Sequence, residues 1–183
     1  MPRHRVGLTP KSLMDMPLIR AERPADHAAV RQLHLAAFES AVEADLVEQL
    51  RARASPLVSL VALEDGAVVG HILFSPVTID ESPALHVMGL APMAVQPSRQ
   101  RSGIGTALVS AGLEACRALG TAAVVVLGHP TYYPRFGFVP ASRFGLRSTY
   151  DVPDELFMAM ELRDGALATA RGVARFHEAF NDT

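Results

Sequence analysis

Three strand-like runs follow one another along the chain and constrain its fold more than any other feature. They are LVSLVALE (57–64), AVVGHILFSPVTI (67–79) and ALHVMGLAPMAV (84–95), separated only by the short turn segments EDG (64–66) and DESP (80–83). Runs of this length between turn residues are typical of strands, and strands joined by short turns pair antiparallel. The sequence therefore predicts an antiparallel meander of three strands.

A proline inside the third run adds a further constraint. Pro92 has no N–H to donate to a neighbouring strand, and a proline within a sheet is confined to an edge or a bulge. We therefore expect the third strand to bulge, or to diverge from a neighbour, near Pro92.

The segments around the meander complete the predicted fold. They are a strand over 18–22, two amphipathic helical runs over 29–38 and 42–50, a helix over 103–119, a buried strand over 121–128 and late strands over 156–162 and 172–180. The helices are assigned from apolar residues at spacings of three and four. The run TAAVVVLG (121–128) is apolar throughout, as in a strand covered on both faces. This order predicts a mixed α/β (α+β) fold with a mostly antiparallel sheet and helices on both faces.

Length and composition limit the classes of function. At 183 residues we expect one domain over 18–183, preceded by a loose extension over 1–17, with Met14 or Met16 as alternative starts. The formal net charge of −2 does not favour nucleic acid. No apolar run reaches the roughly 20 residues that span a bilayer, so we expect a cytoplasmic protein without a membrane partner. Cys116 is the only cysteine, and the seven histidines lack metal-pair spacing, so we expect no metal.

A glycine-containing loop after the third strand is the first candidate site. VQPSRQRSGIG (95–105) leads directly into the helix over 103–119. It lacks the lysine of a P-loop and the third glycine of a dinucleotide fingerprint. Glycines that open a helix let an anion approach the free N–H groups, and the helix dipole favours a pyrophosphate there. Tight packing of the helix on a strand would also explain these glycines.

The wider pattern Val95-x-Pro97-x-x-Gln100-x-x-Gly103-Ile-Gly105-x-x-Leu108 resembles the acetyl-CoA-binding motif of the GCN5-related N-acetyltransferase (GNAT) superfamily. The segments GHILFSP and HPTYYPRFGF are similar to those of its uncharacterised bacterial branch. The resemblance covers about residues 18–162 and implies the GNAT fold. It implies that acetyl-CoA is bound by Met93, Ala94, Val95, Gln100, Arg101, Ser102, Gly103, Ile104, Gly105 and Thr106. The side chains of Arg99 and Arg101 either reach the phosphates or are solvated.

The resemblance also implies a general acid. Tyr133 lies four residues before Gly137, where family members carry the tyrosine that protonates the leaving sulfur, and the neighbouring Tyr132 is the competing candidate. In some members a glutamate that acts as the general base lies at the position that Gly89 holds here. The remaining candidates for a base are His86, Glu81, His71, Glu43 and His129. An amine that arrives neutral needs no dedicated base.

These features together predict an N-acetyltransferase that moves an acetyl group from acetyl-CoA to a primary amine in a ternary complex. Two alternatives stay open: a non-catalytic acyl-CoA-binding sensor or regulatory protein, and a nucleotide-binding module. We expect the turn DESPA (80–84) and the helix pair around Glu39–Leu50 to border the acceptor. Protein lysine, N-terminus, amino acid, polyamine and aminoglycoside all remain possible acceptors. Pairing of two copies through the late strands would give a homodimer.

Overall fold

The computed structural model describes residues 16–183, so nearly all of the predicted extension over 1–17 lies outside the described residues. The elements are β1 (Leu18–Ala21), α1 (His27–Ala37), α2 (Val42–Arg53), β2 (Val58–Glu64), β3 (Ala67–Ile79), β4 (Val87–Val95), α3 (Ile104–Ala118), β5 (Ala123–Leu127), β6 (Val139–Pro140), β7 (Leu146–Ser148), β8 (Phe157–Glu161) and β9 (Gly172–Arg175). Short 3-10 helices include Tyr133–Phe136 and Glu178–Asn181.

The strands form one mixed, mostly antiparallel sheet, which confirms the predicted fold class. Its order is β1-β2-β3-β4-β5-β8-β6, and β9 joins the end of β3 to β7. β2, β3 and β4 pair antiparallel, as the meander predicted, whereas β4 and β5 are parallel and are connected through α3. The short strands β6 and β7 were not predicted.

The prediction of a strand over 172–180 is wrong in its second half. β9 ends at Arg175, and a 3-10 helix over Glu178–Asn181 follows it. The reason is a local cap, because Nδ1 of His177 accepts a hydrogen bond from the N–H of Ala179. This turns the chain away from the sheet and lays its last residues over α2.

The third strand of the meander bulges at the predicted place. Ile72 pairs with Met93, but Phe74 pairs with Leu90, so the register shifts by one residue between them and the extra residue lies next to Pro92. β4 also separates from β5, since their pairing ends at Gly89. Beyond that point the two parallel strands splay apart. A cleft can therefore open in the middle of a sheet that is otherwise continuous.

Helices cover both faces of the sheet because successive strand residues point to opposite sides. Leu60 and Ile72 pack into a core that contains α3, while their chain neighbours Val61 and Leu73 pack against α1 and α2. α3 lies unusually close to the sheet at Gly70. A Cβ there would be only 2.8 Å from Cγ2 of Ile104. This close packing fixes the first turn of α3 beside the end of β4.

Candidate functional site

The splay between β4 and β5 leads into a cleft of about 590 Å³, which we call the loop cleft. Four segments contribute to it: the end of α1, the end of β4, the loop into α3 with the first turn of that helix, and the short helix near Tyr133. Its lining residues are Ala37, Phe38, Met93, Ala94, Val95, Gln100, Arg101, Gly103, Gly105, Thr106, Tyr132 and Arg135.

The glycines of the loop shape the wall of this cleft. Gly103 is the N-cap of α3 and has φ of +92°, a left-handed conformation that glycine adopts without strain. A Cβ on Gly105 would lie 3.1 Å from the hydroxyl oxygen of Tyr132, so a larger residue would crowd the cleft. No side chain caps α3. Its first N–H groups are therefore available to an anion, with the positive end of the helix dipole behind them.

Eight of the ten residues predicted to bind acetyl-CoA line the loop cleft, and the other two do not. The side chain of Ile104 is buried in the core below α3. The hydroxyl of Ser102 donates a hydrogen bond to the carbonyl oxygen of Arg99. These two residues can therefore offer the cleft their backbone N–H groups rather than their side chains.

The structure separates the two arginines that the sequence left as equals. Arg99 forms an ion pair with Glu64 and does not line the cleft. Arg101 lines it and, within residues 16–183, forms no salt bridge. A second cation was not predicted: the guanidinium of Arg135 lies 4.4 Å from the centre of the Tyr132 ring, and its Nε donates to the Tyr132 carbonyl oxygen. Two positive side chains therefore border the cleft, as an anionic ligand requires.

The two neighbouring tyrosines have different surroundings. Tyr132 lines the cleft, whereas Tyr133 is only 9% exposed and packs edge-on against Phe138. Burial, and to a smaller extent the neighbouring Tyr132, raises the pKa of Tyr133 to about 12. Its hydroxyl has no hydrogen-bond partner in the described part of the chain. Tyr133 is therefore a protonated phenol at neutral pH whose O–H is not already engaged.

None of the five candidate bases lines the loop cleft. His71 is fully buried, and burial holds its pKa well below the usual value for histidine. The position of Gly89 has a clear physical reason. A Cβ there would lie 2.5 Å from Cε1 of Phe176, so the aromatic ring occupies the space that a glutamate side chain would need.

His71 belongs to a buried chain of hydrogen bonds whose direction can be worked out. Ser59 Oγ lies 2.6 Å from Glu22 Oε2, and a carboxylate only accepts, so the hydroxyl donates there. The hydroxyl must then accept from Nε2–H of His71, 2.8 Å away. His71 Nδ1 in turn accepts from Nε2–H of His34, at 2.9 Å. Arg51 closes the far end of the chain by donating to Glu22 at 2.6 Å.

This chain leaves His34 with one unpaired ring nitrogen. Nδ1 of His34 is buried and has no hydrogen-bond partner. Burial, and then repulsion from Arg51, lowers the pKa of His34 to about 4, so the ring is neutral at pH 7. His34 stacks on Phe38, with ring centroids 5.9 Å apart, and Phe38 lines the loop cleft. The chain therefore supports one wall of the cleft from behind.

Cys116, metal binding and membrane insertion can each be judged from the described residues. Cys116 is fully buried, and burial raises the pKa of its thiol to about 12, so it is no nucleophile. Residues 16–183 contain no group of three or more side chains suited to hold a metal ion. No helix within the same residues is long and apolar enough to cross a membrane.

Three residues that line the loop cleft were not predicted as site residues from the sequence: Ala37 and Phe38 at the end of α1, and Arg135 in the short helix. Phe38 and Ala37 belong to a run that reads as a core-facing helix face, and only the tertiary fold shows that the run ends at the cleft. The sequence weakly indicates Arg135, since it lies two residues after Tyr133 in the segment HPTYYPRFGF, which resembles the GNAT superfamily.

The chain is similar to known acetyltransferases in sequence and in fold. The acetyltransferase (GNAT) family model matches residues 27–138. The chain is 39% identical over 165 residues to the uncharacterized N-acetyltransferase YhbS of Escherichia coli (strain K12), covering 90% of this chain and 98% of that one. The crystal structure of E. coli YhbS in complex with CoA has a TM-score of 0.86 at 37% identity and covers 96% of both chains. A GNAT acetyltransferase from Brucella melitensis in complex with acetyl-CoA has a TM-score of 0.74 at 37% identity, covering 90% and 97%.

Proposed function

Because the chain belongs to the GNAT acetyltransferase family, we propose that it transfers an acetyl group directly from acetyl-CoA to a primary amine. One observation carries the proposal. The bulged end of β4, the uncapped start of α3 and two cationic side chains meet in a single cleft, at the place where the sheet splays. Such a cleft suits a long anionic thioester better than any compact ligand.

The residues present fit acetyl-CoA as a substrate. The pyrophosphate would lie on the N–H groups of Gln100 to Gly105, with Thr106 beside them and Arg101 offering its charge. The pantetheine arm would run along Met93, Ala94 and Val95, where β4 has no pairing with β5. The crystal structures of YhbS and of the Brucella acetyltransferase contain CoA and acetyl-CoA, which supports acetyl-CoA as the ligand of this chain.

The proposed reaction is a single transfer. The lone pair of the neutral amine attacks the thioester carbonyl carbon, and a backbone N–H of the bulged strand stabilises the oxyanion, an interaction whose loss costs about 10²–10³ in rate. The C–N bond forms, the C–S bond breaks and the amine nitrogen releases one proton to solvent. We assign the proton donor to Tyr133, which lies in the core beside the cleft rather than on its wall; it donates its phenolic proton to the leaving thiolate of CoA and regains one from water. Its pKa of about 12 keeps it protonated at neutral pH. Tyr132, which lines the cleft, is the competing donor.

The burial of Cys116 favours direct transfer in a ternary complex over a covalent acyl-enzyme. A covalent acyl-enzyme needs an accessible thiolate. Cys116 is instead fully buried within α3, with its thiol protonated at neutral pH.

The experiment that tests the proposal measures CoA release and the mass of the amine product, together with acetyl-CoA affinity. Tyr133→Phe removes the proposed acid while keeping the ring, so turnover should fall by about 10²-fold with the Kd for acetyl-CoA unchanged. Tyr132→Phe is the matched comparison and should fall far less. A larger loss in Tyr132→Phe would transfer the role of acid to Tyr132. Binding of acetyl-CoA without transfer to any amine would favour the non-catalytic sensor.

A further inference from the structure

A second, smaller cavity opens at the same strand bulge, and we call it the aromatic pocket. Its volume is about 150 Å³. It is lined by Leu90, Ala91, Leu127, Tyr150, Phe176 and Phe180. The phenolic hydroxyl of Tyr150 is the one polar side-chain group among these six residues. The rings of Tyr150, Phe176 and Phe180 form a continuous row, with successive centroids 6.4 Å and 5.1 Å apart.

The aromatic pocket and the loop cleft meet the same short stretch of β4. Ala91 lines the pocket, Met93 lines the loop cleft, and only Pro92 lies between them. Two residues of extended chain span about 7 Å at most. A group bound at Ala91 therefore lies within reach of the end of a ligand that extends along β4 to Met93.

The floor of the pocket is apolar because of a particular packing contact. The ring of Phe176 rests on the bare Cα of Gly89, where a Cβ would come within 2.5 Å of it. The C-terminal segment thus places an aromatic ring on the part of β4 that adjoins the pocket. No carboxylate lines the pocket, so it offers no partner for an ammonium group.

Size and lining indicate what fits. An enclosed apolar protein cavity of about 150 Å³, lined by Leu, Ile and Phe, accepts benzene. The aromatic pocket has a similar volume and a similar lining but is open on one side, where Leu127 and Tyr150 are each 39% exposed. The pocket therefore suits a planar ring of about six carbons.

We propose that the aromatic pocket binds the acceptor of the reaction, and that this acceptor is a primary amine carrying a phenyl-sized apolar group. This inference rests on the proposed function and adds the substrate class to it. The aryl group lies among Leu127, Tyr150 and Phe176, and the amine points past Pro92 toward the thioester. The nitrogen forms its bond to the acetyl carbon as the C–S bond breaks, one proton leaves the nitrogen and one joins the thiolate of CoA.

The first test compares amines. Benzylamine and 2-phenylethylamine are measured against ethylamine and putrescine, with CoA release as the readout at fixed acetyl-CoA. We expect kcat/KM to be about 10- to 100-fold higher for the two aryl amines, the discrimination that burial of one apolar group provides. A higher value for putrescine than for both aryl amines would overturn the inference and leave the proposed function standing.

The second test uses a matched pair of surface leucines. Leu127 and Leu119 are 39% and 53% exposed, so neither Leu127→Asp nor Leu119→Asp empties the core. Leu127→Asp places a charge in the pocket and should raise KM for benzylamine at least about tenfold, with the Kd for acetyl-CoA unchanged. Leu119 lies at the far end of α3, so Leu119→Asp should change neither the KM for benzylamine nor the Kd for acetyl-CoA. Equal KM values in the two variants would refute the pocket as the acceptor site.

A binding measurement keeps the two proposals distinguishable. Benzylamine is titrated into the CoA-loaded protein and followed by calorimetry, in the native chain and in Leu127→Asp. If benzylamine binds and Leu127→Asp weakens that binding, but no amine is acetylated, the pocket is supported as a binding site for aryl amines and the proposed transfer is refuted. Absence of benzylamine binding to the native, CoA-loaded protein would overturn the inference even if another amine is acetylated.

Discussion

Acid should destabilise this protein through protonation of His34, which is buried and neutral at pH 7. His34 is 0% exposed and is a neutral donor in the buried chain that runs through His71 to Glu22. Its pKa is about 4 in the folded chain, against 6.5 for an unperturbed histidine. Between these two values the unfolded chain holds a proton that the folded chain does not. Stability is therefore complete above about pH 6.5 and falls as the pH decreases toward 4.

The size of the loss follows from the two pKa values. A difference of about 2.5 units corresponds to about 2 kcal/mol lost at pH 5 and about 3 kcal/mol lost at pH 4, relative to pH 7 and above. His71 adds to the loss in the same direction, because burial lowers its pKa as well. Below about pH 4 the contribution of His34 is exhausted.

The assay is urea denaturation of the native chain and of His34→Phe at several pH values between 4 and 8. At pH 7 the variant should be less stable by about 1 kcal/mol, since it lacks the hydrogen bond to His71. At pH 4 it should be at least as stable as the native chain, because it has no ring to protonate at this position. The reasoning is refuted if both chains lose the same free energy of unfolding between pH 7 and pH 4.

Three further predictions concern the loop cleft and its surroundings. Cys116→Ala should keep kcat within about twofold of the native value, since the thiol is buried and protonated. Mass spectrometry of the native chain with acetyl-CoA should detect no acetylated enzyme. An acetyl-Cys116 species would contradict direct transfer. Arg101→Ala should weaken acetyl-CoA binding by about three- to tenfold in a salt-dependent manner. Arg99→Ala loses only the ion pair with Glu64 and should leave the affinity unchanged. Equal effects would contradict the assignment of Arg101, and not Arg99, to the cleft. Gly89→Glu should lower Tm by several degrees, because the new side chain collides with Phe176, and an unchanged Tm would contradict that contact.

The features that the sequence predicted correctly depend on local chemistry. The meander follows from short turns between apolar runs. The bulge follows from a single proline, whose missing N–H acts at its own position. The sequence also predicted that Gly103 opens a helix, and the left-handed φ of that residue explains why glycine is there. None of these conclusions requires knowledge of the tertiary contacts.

The features that the sequence could not predict depend on contacts between distant segments. Phe176 covers Gly89 although 87 positions separate them, and nothing in either local pattern indicates the contact. Likewise, His34 and His71 read as isolated polar residues until α1 packs against β3. The two tyrosines show the remaining limit: spacing selected Tyr133, while the fold alone shows that Tyr132 faces the loop cleft and Tyr133 the core beside it.

The central claim is that the loop into α3 holds the pyrophosphate of acetyl-CoA. Gly103 and Gly120 provide a matched pair at opposite ends of α3, since their φ values are +92° and +79° and a Cβ on either would have nothing within 4 Å. Aspartate therefore introduces the same charge and a similar backbone strain at both positions. In the proposed binding mode only the charge at Gly103 faces the phosphates, and a like charge at about 4 Å costs up to about 4 kcal/mol in an effective dielectric of about 20.

The decisive measurement is calorimetric titration of acetyl-CoA into the native protein, Gly103→Asp and Gly120→Asp. We predict micromolar binding by the native protein, a loss of at least about tenfold in Gly103→Asp, and an affinity within about twofold of native in Gly120→Asp. Absence of binding by the native protein, or equal affinities in the two variants, would contradict the account.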